Sequence, residues 1–104
     1  MSHKGWPLVF HSTPCDWDHV QIGDCWDDPD GFLVVMIPSY PKGKYPFRPR
    51  KEGWSRSGTP PLVTFSPSIN AQSGDMCGWH GWIRDGHITP DCEGRVWEGD
   101  PPRE

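Results

Sequence analysis

Four cysteines and five histidines are the side chains of this 104-residue sequence most suited to holding a metal ion. Two of the cysteines flank a turn in "DMCGWHGWIRDGHITPDC", residues 75–92. Asp85-Gly86 is the dipeptide favoured by a two-residue type I′ hairpin, whose central residues both need positive φ. That turn sets a register in which Arg84 faces His87, Ile83 faces Ile88 and Trp82 faces Thr89. Continued, the ladder brings Trp79 opposite Cys92. Side chains alternate faces along a strand, so Cys77 and Cys92 become diagonal neighbours on one side of the hairpin, their Cα atoms roughly 7–8 Å apart. That is longer than a disulfide prefers and suits two thiolates converging on one ion. Three states stay open for the pair: metal ligands, buried thiols and a disulfide.

A tetrahedral site needs two more ligands. The segment "FHSTPCDWDHVQIGDC" offers His11, Cys15, His19 and Cys25, and the hairpin offers His80, three residues after Cys77. The register points His80 away from Cys77, which makes it the weaker candidate. His87, beside the turn, reads as a surface residue. The acidic "DCWDDPDG" lacks the closing Glu of a calcium loop and reads as a turn.

The elements that must position these groups are short strands. Thirteen Pro and twelve Gly leave no window long enough for more than a turn or two of helix. Strands are expected at 8–11, 20–22, 32–37, 62–65, 78–84 and 87–89, each bounded by Pro, Gly or Asp. "FLVVMI", the one continuous apolar run, should be a central strand buried on both faces. The fold class is therefore all-β, a small Trp-rich antiparallel sheet or sandwich with long Pro-rich loops. Seven tryptophans supply core area that the scarce aliphatics cannot, and a zinc ion would staple what remains.

The length fits one domain, 1–104, carrying an extended Pro-rich and basic arm at about 38–61. The arm holds six of the ten basic residues, interleaved with aromatics, and Tyr45, Phe47, Arg48, Arg50 and Trp54 are its candidate partner contacts. The formal charge of −4 disfavours nucleic acid and anionic membranes as partners of the whole surface. No apolar run has the length of a membrane span or of a signal peptide, so a soluble protein retained in the cytoplasm is expected, with thiols kept reduced.

"GWSRSGTPPLVTFSPSI" followed by "CGWHGWIRDGHITPDC" resembles a family of small phage and prophage proteins, a domain of unknown function often mislabelled "ammonia monooxygenase". The resemblance rests on Trp54, Thr64-Phe65-Ser66-Pro67-Ser68-Ile69, Cys77, Asp85-Gly86 and Asp91-Cys92. Upstream, Cys15 and His19 fit a Cys-Pro-x-Cys…His pattern whose first cysteine is replaced near Ser12. The resemblance implies a structural Zn2+ with Cys15, Cys77 and Cys92 as ligands and a fourth drawn from His11, Cys25, His19 or His80.

Taken together, the residues and the resemblance lead to the expectation of a phage-encoded structural protein rather than an enzyme. The preferred form is a virion component, a capsid cement, decoration or tail-associated protein, made in the host cytoplasm and bound to other virion or host protein subunits. The alternative is a recognition module for a host protein, a glycan or single-stranded nucleic acid. A small metal-dependent hydrolase using His80, Asp85 and His87 ranks last, because no catalytic constellation stands out in the sequence.

Overall fold

The computed structural model describes residues 5–39, 43–49, 53–71, 78–92, 94 and 98. Within them the protein is all-β. Nine strands follow in chain order: β1 (Trp6–Pro7), β2 (Val9–Phe10), β3 (Asp24–Asp27), β4 (Leu33–Ser39), β5 (Gly43–Phe47), β6 (Ser55–Ser57), β7 (Thr64–Ala71), β8 (Trp79–Arg84) and β9 (His87–Ile88). They form a five-stranded sheet in the order β1-β9-β8-β7-β6 and a four-stranded sheet in the order β2-β3-β4-β5. All pairings are antiparallel except β2 with β3.

One apolar cluster joins the two sheets. Leu33, Val35 and Ile37 of β4 meet Phe65 and Ile69 of β7, Trp79 and Ile83 of β8, and Ile88 of β9. The period of two is plain in β8, where Trp79, Gly81 and Ile83 are buried and His80, Trp82 and Arg84 face outward. Strand β4 departs from it. Val34 and Met36 are buried as well, as the unbroken apolar run requires of a strand covered on both faces. Trp6 and Trp79 are the largest buried side chains, and the Trp79 indole N–H is satisfied by the Thr89 carbonyl at 3.1 Å.

The hairpin forms as the Asp85-Gly86 dipeptide dictates. Both turn residues have positive φ, 49° and 80°, and Ile83 pairs with Ile88 and Arg84 with His87. Gly86 is required twice over, since a Cβ there would also lie 2.7 Å from the Pro61 carbonyl oxygen. Beyond Ile88 the ladder changes. The Trp82 N–H donates to Thr89 Oγ1 and the His80 N–H to Asp91 Oδ1, while Cys92 N–H reaches the His80 carbonyl. Asp91 thus supplies from its side chain the acceptor that a regular ladder would take from the backbone, and the chain slips by one residue after Pro90. Trp79 is consequently not paired with Cys92.

Two other expectations are revised. Residues 20–22 do not form a strand: Val20 and Ile22 are buried, but the chain turns there and Asp24 accepts from the Gln21 N–H at 2.8 Å. The Pro-rich stretch, read as a loop or arm, contributes β5 and β6. Both are edge strands, where Pro46 removes no needed ladder bond.

Candidate active site

Strand β7 meets β8 with a break in register. Phe65 pairs with Ile83 and Ile69 with Gly81, so residues 66, 67 and 68 of β7 oppose the single residue 82 of β8. A bulge of this kind re-aims side chains out of the regular alternation. Here it is built by Ser66-Pro67-Ser68, with a cis Ser66–Pro67 peptide bond. Pro67 marks the place, because it cannot serve an unbroken ladder.

The bulge sets the half-buried Ser68 against His80, with Ser68 Oγ 3.5 Å from His80 Nε2. The contact is long for a hydrogen bond and has only a few tenths of an ångström to close before a proton can pass, as is common for catalytic pairs in the absence of substrate. Both partners are held by their backbones. Ser68 accepts at its carbonyl from the Trp54 indole N–H at 3.3 Å. His80 is clamped on both sides by Asp91 Oδ1 at 2.8 Å and the Cys92 N–H at 2.7 Å, and Asp91 is itself buried. The His80 ring stacks beside Trp82, centroids 6.4 Å apart, and the Arg84 guanidinium covers the other end of that row, 4.6 Å from the Trp82 ring. Among the described residues Ser68 is the serine whose hydroxyl lies against an imidazole. A hydroxyl and an imidazole so placed are the parts of a nucleophile and its general base.

A second polar group lies at the start of the other sheet. One ligand atom each from His11, Cys15 and Asp24 falls within 4.8 Å of the other two. His11 Nε2 is 2.9 Å from Asp24 Oδ1, and the buried Asp24 also accepts from the Gln21 N–H. This trio is compatible with a metal ion. It keeps two of the candidate ligands, His11 and Cys15, and adds Asp24, which the sequence did not single out.

The other candidates lie elsewhere. Cys25 is fully buried in the apolar cluster, its Sγ directed at the Val9 carbonyl at 3.6 Å, because it follows Asp24 and points to the opposite face of β3. Cys92 is exposed and outside the trio, as the slip after Pro90 removes it from the register that had aligned it. Cys77 lies outside the described residues. Among the described residues His80 lies against Ser68 and in no group of three metal-ligating side chains, and His87 is exposed, with Nδ1 beside the Asp85 carbonyl.

The aromatic and basic residues proposed for a partner are largely spent within the chain. Phe47 is buried and meets Trp54 edge-to-face at 5.3 Å, and Tyr45 packs on the core. Arg48 pairs with Asp28 at 2.8 Å, and Arg50 lies outside the described residues. The Arg48 guanidinium, helped by the N–H groups of Phe32 and Asp30, holds the Asp28 carboxyl below the usual carboxylate range; the same bond raises Arg48. Of "DCWDDPDG", Asp24–Asp27 is strand β3 and only the remainder is a turn, closed by Asp28, which accepts from the Asp30 and Phe32 N–H groups.

Comparison with known proteins bears on this geometry. Residues 40–90, just under half the chain, match the family described as bacterial ubiquitination-like system serine protease (BubE). No curated protein and no solved structure matches. The match overturns two expectations: that the chain is a phage virion structural protein, and that it is not an enzyme. A capsid-cement or decoration role falls with them. Composition misled, because an extended Pro-rich segment looks alike whether it straps a neighbouring subunit or frames a site. The matched region contains both Ser68 and His80. No helix among the described residues is long and apolar enough to cross a membrane.

Proposed function

We propose that the chain is a serine peptidase of a bacterial ubiquitination-like system, with Ser68 as the nucleophile and His80 as the general base. The observation that carries this reading is the Ser68 Oγ to His80 Nε2 approach of 3.5 Å inside the region that matches the serine protease family. The reaction requires the neutral His80 tautomer with its proton on Nδ1, leaving Nε2 to accept the hydroxyl proton. Ser68 Oγ then attacks the scissile carbonyl carbon, and the carbonyl electron pair moves onto oxygen. As the tetrahedral species collapses, the carbon–nitrogen bond breaks and His80 Nε2 returns its proton to the leaving amine. The acyl group remains on Ser68 as an ester. Water, deprotonated by the same Nε2, releases it as a carboxylate and restores the hydroxyl.

Asp91 acts through the backbone of His80. Its buried carboxylate fixes the strand from which the imidazole projects. The test is reaction of the purified full chain with a fluorophosphonate, with the adduct located by mass spectrometry. Modification of Ser68, lost on His80→Ala, is expected; modification elsewhere, or none, removes the assignment.

His11, Cys15 and Asp24 are in turn the ligands of a structural Zn2+. The observation favouring it is the donor set itself: an imidazole, a thiol and a carboxylate, all from residues 11–24, brought within 4.8 Å of one another. Metal analysis of the purified chain should find about one zinc per molecule, lost in Cys15→Ser and on treatment with chelator. A metal-free parent chain refutes it.

A further inference from the structure

The Ser68 hydroxyl and His80 lie on the face of the five-stranded sheet turned away from the core, so a substrate that reaches them also meets their neighbours on that face. Side chains alternate along β8, and His80, Trp82 and Arg84 follow one another on this outward side while Trp79, Gly81 and Ile83 are buried. The three planar groups form a continuous row. The imidazole and the indole stack with centroids 6.4 Å apart and an interplanar angle of 24°, and the Arg84 guanidinium lies 4.6 Å from the indole. Those distances of 6.4 and 4.6 Å laid end to end, about 11 Å, are the farthest the guanidinium can stand from the imidazole. An extended peptide advances about 3.3–3.6 Å per residue, so two or three residues cover that span.

Arg84 is the exposed end of the row, and among the described residues it forms no ion pair with a carboxylate. Its acidic neighbour Asp85 turns to Thr64 instead, whose Oγ1 accepts from the Asp85 N–H at 2.8 Å and lies 3.4 Å from Asp85 Oδ1. Arg48, by contrast, is spent on Asp28. In a chain of formal charge −4, an uncommitted guanidinium beside the nucleophile is a local reversal of sign. The indole restrains it, so little side-chain freedom is left to lose when a carboxylate binds.

We infer that Arg84 is a specificity-determining residue of the Ser68 centre, pairing with an acidic side chain two or three residues from the scissile bond of an extended peptide. Trp82 is the platform on which the intervening residue rests. The inference rests on the peptidase reading and adds to it the substrate chemistry.

The experiment is cleavage of a pool of capped synthetic decapeptides, varied at every position, by the full chain and by its Arg84→Glu and Arg84→Gln variants. Mass spectrometry identifies the cleaved bonds. The readout is the ratio of Glu to Lys at each position around them, which a loss of folded or active protein does not move. Fluorophosphonate labelling of Ser68 in the parent runs in parallel.

In the parent, Glu should exceed Lys about fivefold at the second or third position on one side of the cleaved bond. Arg84→Gln should bring that ratio to about one, and Arg84→Glu should invert it at the same position. Absence of the excess in the parent, or an excess that the variants retain, overturns the subsite; so does a parent that is labelled at Ser68 yet cleaves no peptide of the pool. In each of these cases labelling leaves the peptidase reading standing. Failure of the parent to be labelled would instead remove the peptidase reading, and the role of Arg84 with it.

Discussion

The Ser68–His80 pair and the His11–Cys15–Asp24 trio are both polar groups set at the margins of the same apolar core, yet they are built on opposite terms. In the trio a buried carboxylate is satisfied by two close donors at 2.8 and 2.9 Å. In the pair the side chains stand at 3.5 Å, half-buried, while the tight contacts go to the backbones that carry them. A buried carboxylate whose hydrogen bonds are already made has stability to lose and little chemistry to offer. A side-chain pair kept slightly apart on a fixed frame has little stability at stake and its reactive atoms still available. Stability and reactivity should therefore separate by mutation.

The largest effect is expected at the pair. Ser68→Ala should lower hydrolysis by on the order of 10³-fold or more, about 4 kcal/mol of barrier, with almost no change in the unfolding midpoint. His80→Ala should cost nearly as much, and the double variant little more than either alone, because the two act as one unit. A peptide-hydrolysis assay on the three variants, beside their urea unfolding curves, checks the set; additive losses would break the pairing.

Asp24→Ala should do the converse. Removing the carboxylate strips the His11 imidazole and the Gln21 N–H of their partner, a loss of about 1–2 kcal/mol in unfolding free energy. Fluorophosphonate labelling of Ser68 should persist under conditions where the variant is folded. Equal labelling rates in variant and parent would confirm that the two regions are independent.

Gly81→Ala tests whether a single residue can couple them to the core. A Cβ at Gly81 would lie 2.6 Å from Thr89 Oγ1 and 2.8 Å from the Trp79 ring, so the hairpin has to move. Overpacking of this sort costs about 1–3 kcal/mol. Because the same hairpin carries His80, labelling of Ser68 should slow as well, unlike in Asp24→Ala. Denaturation and labelling on one preparation will show whether both fall.

Much of this frame was legible in the residues. Asp85-Gly86 fixes its own backbone conformation and with it the register of Ile83 with Ile88, so the hairpin is a local consequence of two side chains. "FLVVMI" identifies its strand by composition alone. Local readings fail where a side chain takes over a backbone role. Asp91 replaces a ladder acceptor and shifts Cys92 out of line, and Asp24 closes a turn where alternating apolar residues suggest a strand. The site was hidden for a related reason. Ser68 and His80 are twelve residues apart on different strands, and they meet because residues 66–68 bulge against residue 82. A proline between two serines in a strand was the available signal, but a bulge's direction depends on the partner strand.

The smallest effect should come from the Asp28–Arg48 pair, which braces the turn before β4. Asp28 is held below the usual carboxylate range in the folded chain, chiefly by its hydrogen bond to Arg48. A carboxyl whose pKa is lower folded than unfolded lends its full stabilisation above the unfolded value, roughly pH 4, and loses it as pH falls through the folded value. Arg48→Ala should leave the neutral-pH unfolding curve nearly unchanged, since Arg48 is partly exposed and solvent screens the pair. Acid unfolding should begin at a slightly higher pH, and adding Asp28→Asn to both the parent and the Arg48→Ala variant should abolish the difference between them. A circular-dichroism titration from neutral to acid measures it. Movement of the midpoint in the opposite direction would mean that Arg48 acts through packing rather than through charge.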